Sequence, residues 1–93
     1  MRVRKVEVLQ SAAFARAYKR SYKNRRIDVD DAVALIVKNP LVGVAKRGDL
    51  SGVYVYKFKS QNQEILLAYE FDLKTRFLLL LGVHENFYRD LKR

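Results

Sequence analysis

Val53-Tyr54-Val55-Tyr56-Lys57-Phe58-Lys59 alternates without a break, and that alternation decides how the chain folds. Successive side chains of a strand point to opposite faces, so Tyr54, Tyr56 and Phe58 share one face and Val55, Lys57 and Lys59 the other. The aromatic face needs a cover; the lysines need water or a ligand. The polar turn Ser60-Gln61-Asn62-Gln63 leads to a second strand, residues 64–71, with Ile65, Leu67, Tyr69 and Phe71 on one face. Asp72-Leu73-Lys74-Thr75 turns the chain again into a strand over residues 76–83. Short turns between strands predict an antiparallel meander.

Upstream, residues 2–9 alternate around Val6 and Val8 as a short strand. Ser11 can cap a helix over residues 12–23. Phe14, Tyr18 and Tyr22 fall on one face of it, and Arg16, Lys19, Arg20 and Lys23 fall opposite, with Arg25 and Arg26 extending the cationic face. A second helix begins near Asp28, its expected cap, and Val29, Ala32, Val33, Ile36 and Val37 form its apolar stripe. Asp30 and Asp31 suit the positive end of that helix, and Asn39-Pro40 stops it. A loop carrying Lys46, Arg47, Gly48 and Gly52 follows, and residues 85–93 read as a short terminal helix with Phe87, Tyr88 and Leu91 as its apolar side. The order β-α-α-β-β-β-α predicts an α+β fold: a small antiparallel sheet, a helical hairpin on one face and a short C-terminal helix. The aromatic face of residues 53–59 then meets the hairpin, and Lys57 and Lys59 turn away from it.

The 93 residues make one domain, 1–93, and 49% apolar residues give it a core. There is no cysteine, which excludes disulfides and thiolate metal sites. One histidine and no clustered acids argue against a metal site, and nothing calls for a cofactor. The longest apolar run, residues 77–83, is far short of a membrane span, and Met1-Arg2-Val3-Arg4-Lys5 has no apolar stretch behind it to make a signal peptide. The expected location is the cytoplasm. Nineteen Lys and Arg against ten Asp and Glu give +9, which implies a polyanionic partner: nucleic acid, a ribosome, an acidic protein or an anionic membrane surface.

The only histidine, His84, ends the run Phe77-Leu78-Leu79-Leu80-Leu81-Gly82-Val83, with Tyr88 four residues on. An imidazole takes and gives protons near neutrality, and among lysines that combination points to chemistry on a phosphodiester. Lys57 and Lys59 can hold charge developing on the phosphate, and Tyr88 can stack on a base or assist proton transfer. Plainer readings stand beside these: a structural His84, a solvated Lys57/Lys59 face, and Tyr88 in the core. The cations Arg16, Lys19, Arg20, Lys23, Arg25 and Arg26 carry no interleaved acid, which favours phosphate binding over a merely solvated face.

The chain resembles the RelE/ParE superfamily of bacterial type II toxins over nearly its whole length. The resemblance rests on the helical hairpin, Lys46-Arg47-Gly48-Asp49-Leu50-Ser51-Gly52 running into the strand 53–59, Leu67-Ala68-Tyr69-Glu70, and the ending Gly82-Val83-His84-Glu85-Asn86-Phe87-Tyr88. It implies a compact toxin fold, a cognate antitoxin and, on the RelE side, an mRNA target on the ribosome. Lys57 and Lys59 resemble the paired lysines of RelE-type mRNA endonucleases, His84 stands where relatives carry Arg or His, and Tyr88 matches a terminal Tyr or Phe. Leu66 departs, standing where several nucleases have arginine; the phosphate-binding charge then falls to Lys46, Arg47 or Arg89. Two rival functions remain: a ParE-type poison that binds DNA gyrase, and a nucleic-acid-binding module without activity.

Overall fold

In the computed structural model, residues 5–92 are described, and of residues 84–86 the backbone alone. The elements are β1 (Glu7–Gln10), α1 (Ala12–Arg20), α2 (Lys23–Lys38), β2 (Val44–Ala45), β3 (Tyr54–Ser60), β4 (Gln63–Phe71), β5 (Thr75–Gly82) and α3 (His84–Leu91). They form one five-stranded sheet in the order β1-β5-β4-β3-β2. The meander β3-β4-β5 is antiparallel, with Lys57 opposite Leu66 and Leu66 opposite Gly82. The expected α+β architecture is present: the strand expected over residues 2–9 is β1, with residues 2–4 outside the described residues, and β2 is an addition. β1 pairs with β5 in parallel, making the sheet mixed, and β2 pairs with the start of β3. No tight turn joins β1 to β5, so turn length could not set their direction.

Strand parity distributes the core over both faces. On one, Phe14, Val29, Ala32 and Ile36 of the helices close over Ile65, Leu67, Tyr69, Leu78 and Leu81, with Tyr54, Tyr56 and Phe58 packed at the margin. On the other, Phe87 of α3 meets Val53, Val55, Leu66 and Ala68. β4 is therefore buried on both sides from Ile65 to Tyr69, the continuous apolar signature of a central strand. The pairing jumps from Ala68–Leu80 to Tyr69–Leu78, leaving Leu79 as a bulge, and Leu79 and Leu80 both pack against the second core.

The helical hairpin breaks earlier than its periodicity predicts. α1 ends at Arg20, and α2 starts at Lys23, not near Asp28. Ser21 turns extended, its hydroxyl donates to the Ala17 carbonyl at 2.9 Å, and the Arg26 guanidinium donates to the Ser21 carbonyl. Tyr22 consequently leaves the Phe14/Tyr18 face and is 86% exposed. Asp28 caps nothing; it lies inside α2 and accepts a 2.7 Å hydrogen bond from the buried Ser60 hydroxyl. Ser11 does cap α1, accepting from the Phe14 amide at 3.0 Å, and α2 ends before Asn39-Pro40 as its sequence requires.

Two polar anchors then aim the chain at the second face. The Tyr69 hydroxyl donates to the Pro40 carbonyl at 2.6 Å and accepts from the Gly43 amide at 2.9 Å, delivering the segment after α2 to the sheet edge as β2. A Cβ on Gly43 would lie 2.6 Å from that hydroxyl oxygen, so only glycine allows the approach. Between β3 and β4, Gln61 and Asn62 both adopt positive φ, 56° and 65°, as a two-residue hairpin turn of matching twist requires.

Candidate nucleic-acid interface

Lys57 and Lys59 are exposed, and the alternation puts both on the sheet face opposite α1 and α2. Lys59, near the end of its strand, also lines a cleft with Asp28, Asp31, Ala32 and Leu35 of α2. That face is not open throughout, because α3 covers its middle. Lys57 lies at the middle of β3, beside the covered part, and Lys59 near its end, roughly 6.6 Å apart along the strand. Their cross-strand neighbours differ. Lys59 is paired across the strands with Glu64, an opposite charge, whereas Lys57 is paired with fully buried Leu66.

Leu66 occupies the middle of a row running Lys57, Leu66, Gly82 across three strands. The residue that departs from the nuclease pattern is thus an apolar floor beside Lys57, belonging to the second core. β5 ends at Gly82, and the chain enters α3 with His84 as its first residue, two positions beyond that row. The His84 side chain lies outside the described residues.

Tyr88 bridges the core and the surface. Half-buried, it packs on the second core, and its ring meets Phe87 edge-on at 5.3 Å between centroids. The Lys46 ammonium lies over the ring, 5.0 Å from its centroid. Lys46, Arg47, Asp49, Leu50, Tyr88 and Lys92 line a cleft of about 360 Å³ between the loop after β2 and the end of α3. Asp49 and Lys92 join the cleft without a local sequence signal, Asp49 following the cation pair Lys46-Arg47 after one glycine. Arg89 is exposed on α3.

The remaining six cations lie on the opposite side of the sheet and divide into two sets. Arg16, Lys19, Arg20 and Lys23 are exposed around the junction of α1 and α2. Arg25 and Arg26 are half-buried and hold the structure together: Arg25 donates to Gln63 Oε1 at 2.9 Å and more weakly to Ser60, and Arg26 closes the turn at Ser21. The structure therefore puts Lys57 on the sheet face that carries the Lys46/Arg47/Tyr88 cleft, leaves Lys59 at the strand end shared between that face and α2, and keeps the helical cations on another.

Arg76 is a further cation that periodicity could not assign. Almost fully buried, it donates to the carbonyls of Ile36 and Val37 at 3.2 and 3.0 Å, ending α2, and to those of Asp72 and Thr75. It is structural. Among the described residues no group of three or more His, Cys, Asp or Glu is placed to hold a metal ion. No helix among them is long and apolar enough to cross a membrane.

The chain belongs to the ParE-like toxin family of type II bacterial toxin–antitoxin systems, whose family model matches residues 8–92. No curated protein matches it in sequence. Its fold resembles the RelE toxin in the intact Escherichia coli RelBE toxin–antitoxin complex, at 16% identity over 86% of this chain and 98% of that one, with a TM-score of 0.70. A mutant of E. coli RelE in the free state matches at 15% identity over 94% of this chain and 90% of that one, with a TM-score of 0.71. The RelBE2 toxin–antitoxin complex of Mycobacterium tuberculosis matches at 19% identity over 86% and 99%, with a TM-score of 0.71. The superfamily and the RelE-like fold read from the sequence are both correct.

Proposed function

We propose that this toxin is an endoribonuclease that cleaves mRNA on the ribosome in the cytoplasm, without metal or cofactor, and that a cognate antitoxin restrains it. The observation that carries this reading is the placement of exposed Lys57 on the sheet face that carries the cationic cleft at Tyr88, with Lys59 further along the same strand. The antitoxin rests on family membership and on the RelBE complexes that share the fold.

Cleavage begins when the ribose 2′-hydroxyl loses its proton and its oxygen attacks the adjacent phosphorus. A pentacovalent phosphorane forms, the bond to the 5′-oxygen breaks, and that oxygen takes a proton. The products are a 2′,3′-cyclic phosphate and a free 5′-hydroxyl. Lys57 is assigned to the extra negative charge on the phosphorane, where a preorganised cation acts most strongly. Lys59 shares that role, tempered by Glu64. His84 is assigned proton transfer from its place at the β5–α3 junction, since imidazole titrates near neutrality. Tyr88 offers a ring for a base, and Lys46, Arg47 and Arg89 hold flanking phosphates in place of a cation at Leu66. The exposed helical cations Arg16, Lys19, Arg20 and Lys23, with Arg25 and Arg26 beneath them, are assigned to ribosomal RNA.

The test is a purified translation reaction read by mapping new mRNA ends. Lys57→Ala is expected to slow cleavage by about a hundredfold or more, the usual effect of losing one transition-state contact. His84→Ala should abolish the pH dependence near neutrality. Intact mRNA with the wild-type chain would overturn the proposal. The family match to ParE-like toxins supports one second reading, a poison that binds DNA gyrase; it requires neither Lys57 nor His84.

A further inference from the structure

We propose that Arg20 and Arg25, beside the end of β5, form a phosphate-binding cleft for the RNA strand that lies on Lys57. This rests on the RNA reading above and carries the strand past the end of the sheet. It moves Arg20 and Arg25 from the ribosomal set of cations to the strand being cleaved.

The cleft opens where the row Lys57, Leu66, Gly82 ends. Gly82 closes β5, pairs with Leu66 and, with Val83, forms one wall of a hollow of about 220 Å³. Lys57 lies two strand spacings away, roughly 10 Å. Lys46 and Arg47 serve the strand on the β2 side of Lys57. On the β5 side the row itself holds no cation, and the cleft supplies two: Arg20 from the end of α1 and Arg25 from the first turn of α2.

The break between the helices is what brings them together. In one continuous helix, positions five apart point about 140° away from each other. Ser21, which also lines the cleft, ends α1 in extended backbone, and the Arg26 guanidinium holds its carbonyl. Arg25 is half-buried and fixed in place: Nη2 donates to Gln63 Oε1 at 2.9 Å and to the Ser60 carbonyl at 3.4 Å, and Nε to the Ser60 hydroxyl at 3.4 Å. All three acceptors are neutral. The Ser60 hydroxyl passes its own proton to Asp28 at 2.7 Å, so that acid reaches Arg25 only through a hydroxyl. Nη1 takes no part in these bonds.

The rest of the wall is Ala17, Ile65 and Leu81, and no carboxylate lines the cleft among the described residues. Two guanidinium groups against an apolar wall repel each other, and the low dielectric focuses their field outward. An anion with paired oxygens relieves the repulsion and fits the planar forks, and a phosphodiester is such an anion. The N-cap of α3 is Val83, which makes no side-chain cap, so the positive end of that helix adjoins the same wall.

The experiment uses the full chain and ribosomes programmed with an mRNA in which the linkages around the cleavage point are replaced, one at a time, by neutral methylphosphonates. Single-turnover cleavage is read at saturating toxin. For the wild-type chain, one neutral linkage to one side of the cleavage point should slow cleavage by about tenfold, the usual weight of a charged hydrogen bond. Arg20→Gln, at an exposed position, should be slower by a similar factor and indifferent to that linkage. Every other linkage should cost it what it costs the wild-type chain. Arg20→Lys, which keeps the charge and loses the fork, should recover part of the sensitivity. Full sensitivity of Arg20→Gln at every linkage overturns the cleft and leaves the RNA reading standing. So does an Arg20→Gln variant that reaches the wild-type rate at saturation, since the arginine then acts through ribosomal RNA. No cleavage by the wild-type chain overturns both.

Discussion

Arg76 places a charge on the helix-packed face of the sheet and spends its donors on four backbone carbonyls. Removing those donors strands the last carbonyls of α2 in an apolar setting. Arg76→Met, which keeps the length of the side chain, should cost about 2–4 kcal/mol in denaturant unfolding. Tyr69 makes a second test. Burial pushes its phenol pKa above the ordinary value, with the Gly43 amide opposing in part. A pKa raised on folding holds its stabilisation below the unfolded value and loses it as pH rises through the folded one. The thermal midpoint should therefore fall above about pH 10, and Tyr69→Phe should flatten part of that decline. Neither role was legible in the sequence. Arg76 carries no local signal of burial, and Tyr69 reads as one more aromatic in an alternating strand, because the partners of both are backbone groups up to forty and twenty-nine positions away. Single side-chain alternation, by contrast, placed Lys57 correctly.

At the scale of elements, β3, β4 and β5 were legible because period-two alternation and short polar turns are local signals. The α1–α2 boundary was not. Residues 12–23 keep a helical pattern of aromatics and cations, but Ser21 and Arg26 settle the break through hydrogen bonds the pattern does not encode. The apparent six-residue cationic face was a product of that continuous helix, and once the helix breaks, Arg25 and Arg26 turn inward to structural partners. α3 shows the same limit. Phe87, Tyr88 and Leu91 read as its apolar side, but nothing local said that it would cover the lysine-bearing face. Phe87 is 2% exposed and plugs that second core. Phe87→Ala should lower stability by about 3 kcal/mol, seen as an earlier denaturant midpoint, and should loosen the cleft that depends on Tyr88 beside it.

For the molecule as a whole, the two faces of the sheet divide the labour. One face is sealed by α1 and α2 and carries stability; the other is half covered by α3 and carries exposed charge. A net charge of +9 then gives any RNA complex a steep salt dependence. The charge was legible from composition, the family from its motifs, and the face from strand parity. The cleft at Asp49 was not, because it joins a loop to a helix some forty residues further on. What separates an RNA-cleaving toxin from a gyrase poison is the order of events after expression without antitoxin. Transcript ends and plasmid supercoiling should be followed together in growing bacteria, for the wild-type chain and for Lys57→Ala. The nuclease account predicts new internal mRNA ends within the first minutes, before any change in supercoiling, and their loss together with the growth arrest in Lys57→Ala. Intact transcripts with early loss of supercoiling, or full toxicity in Lys57→Ala, would contradict it.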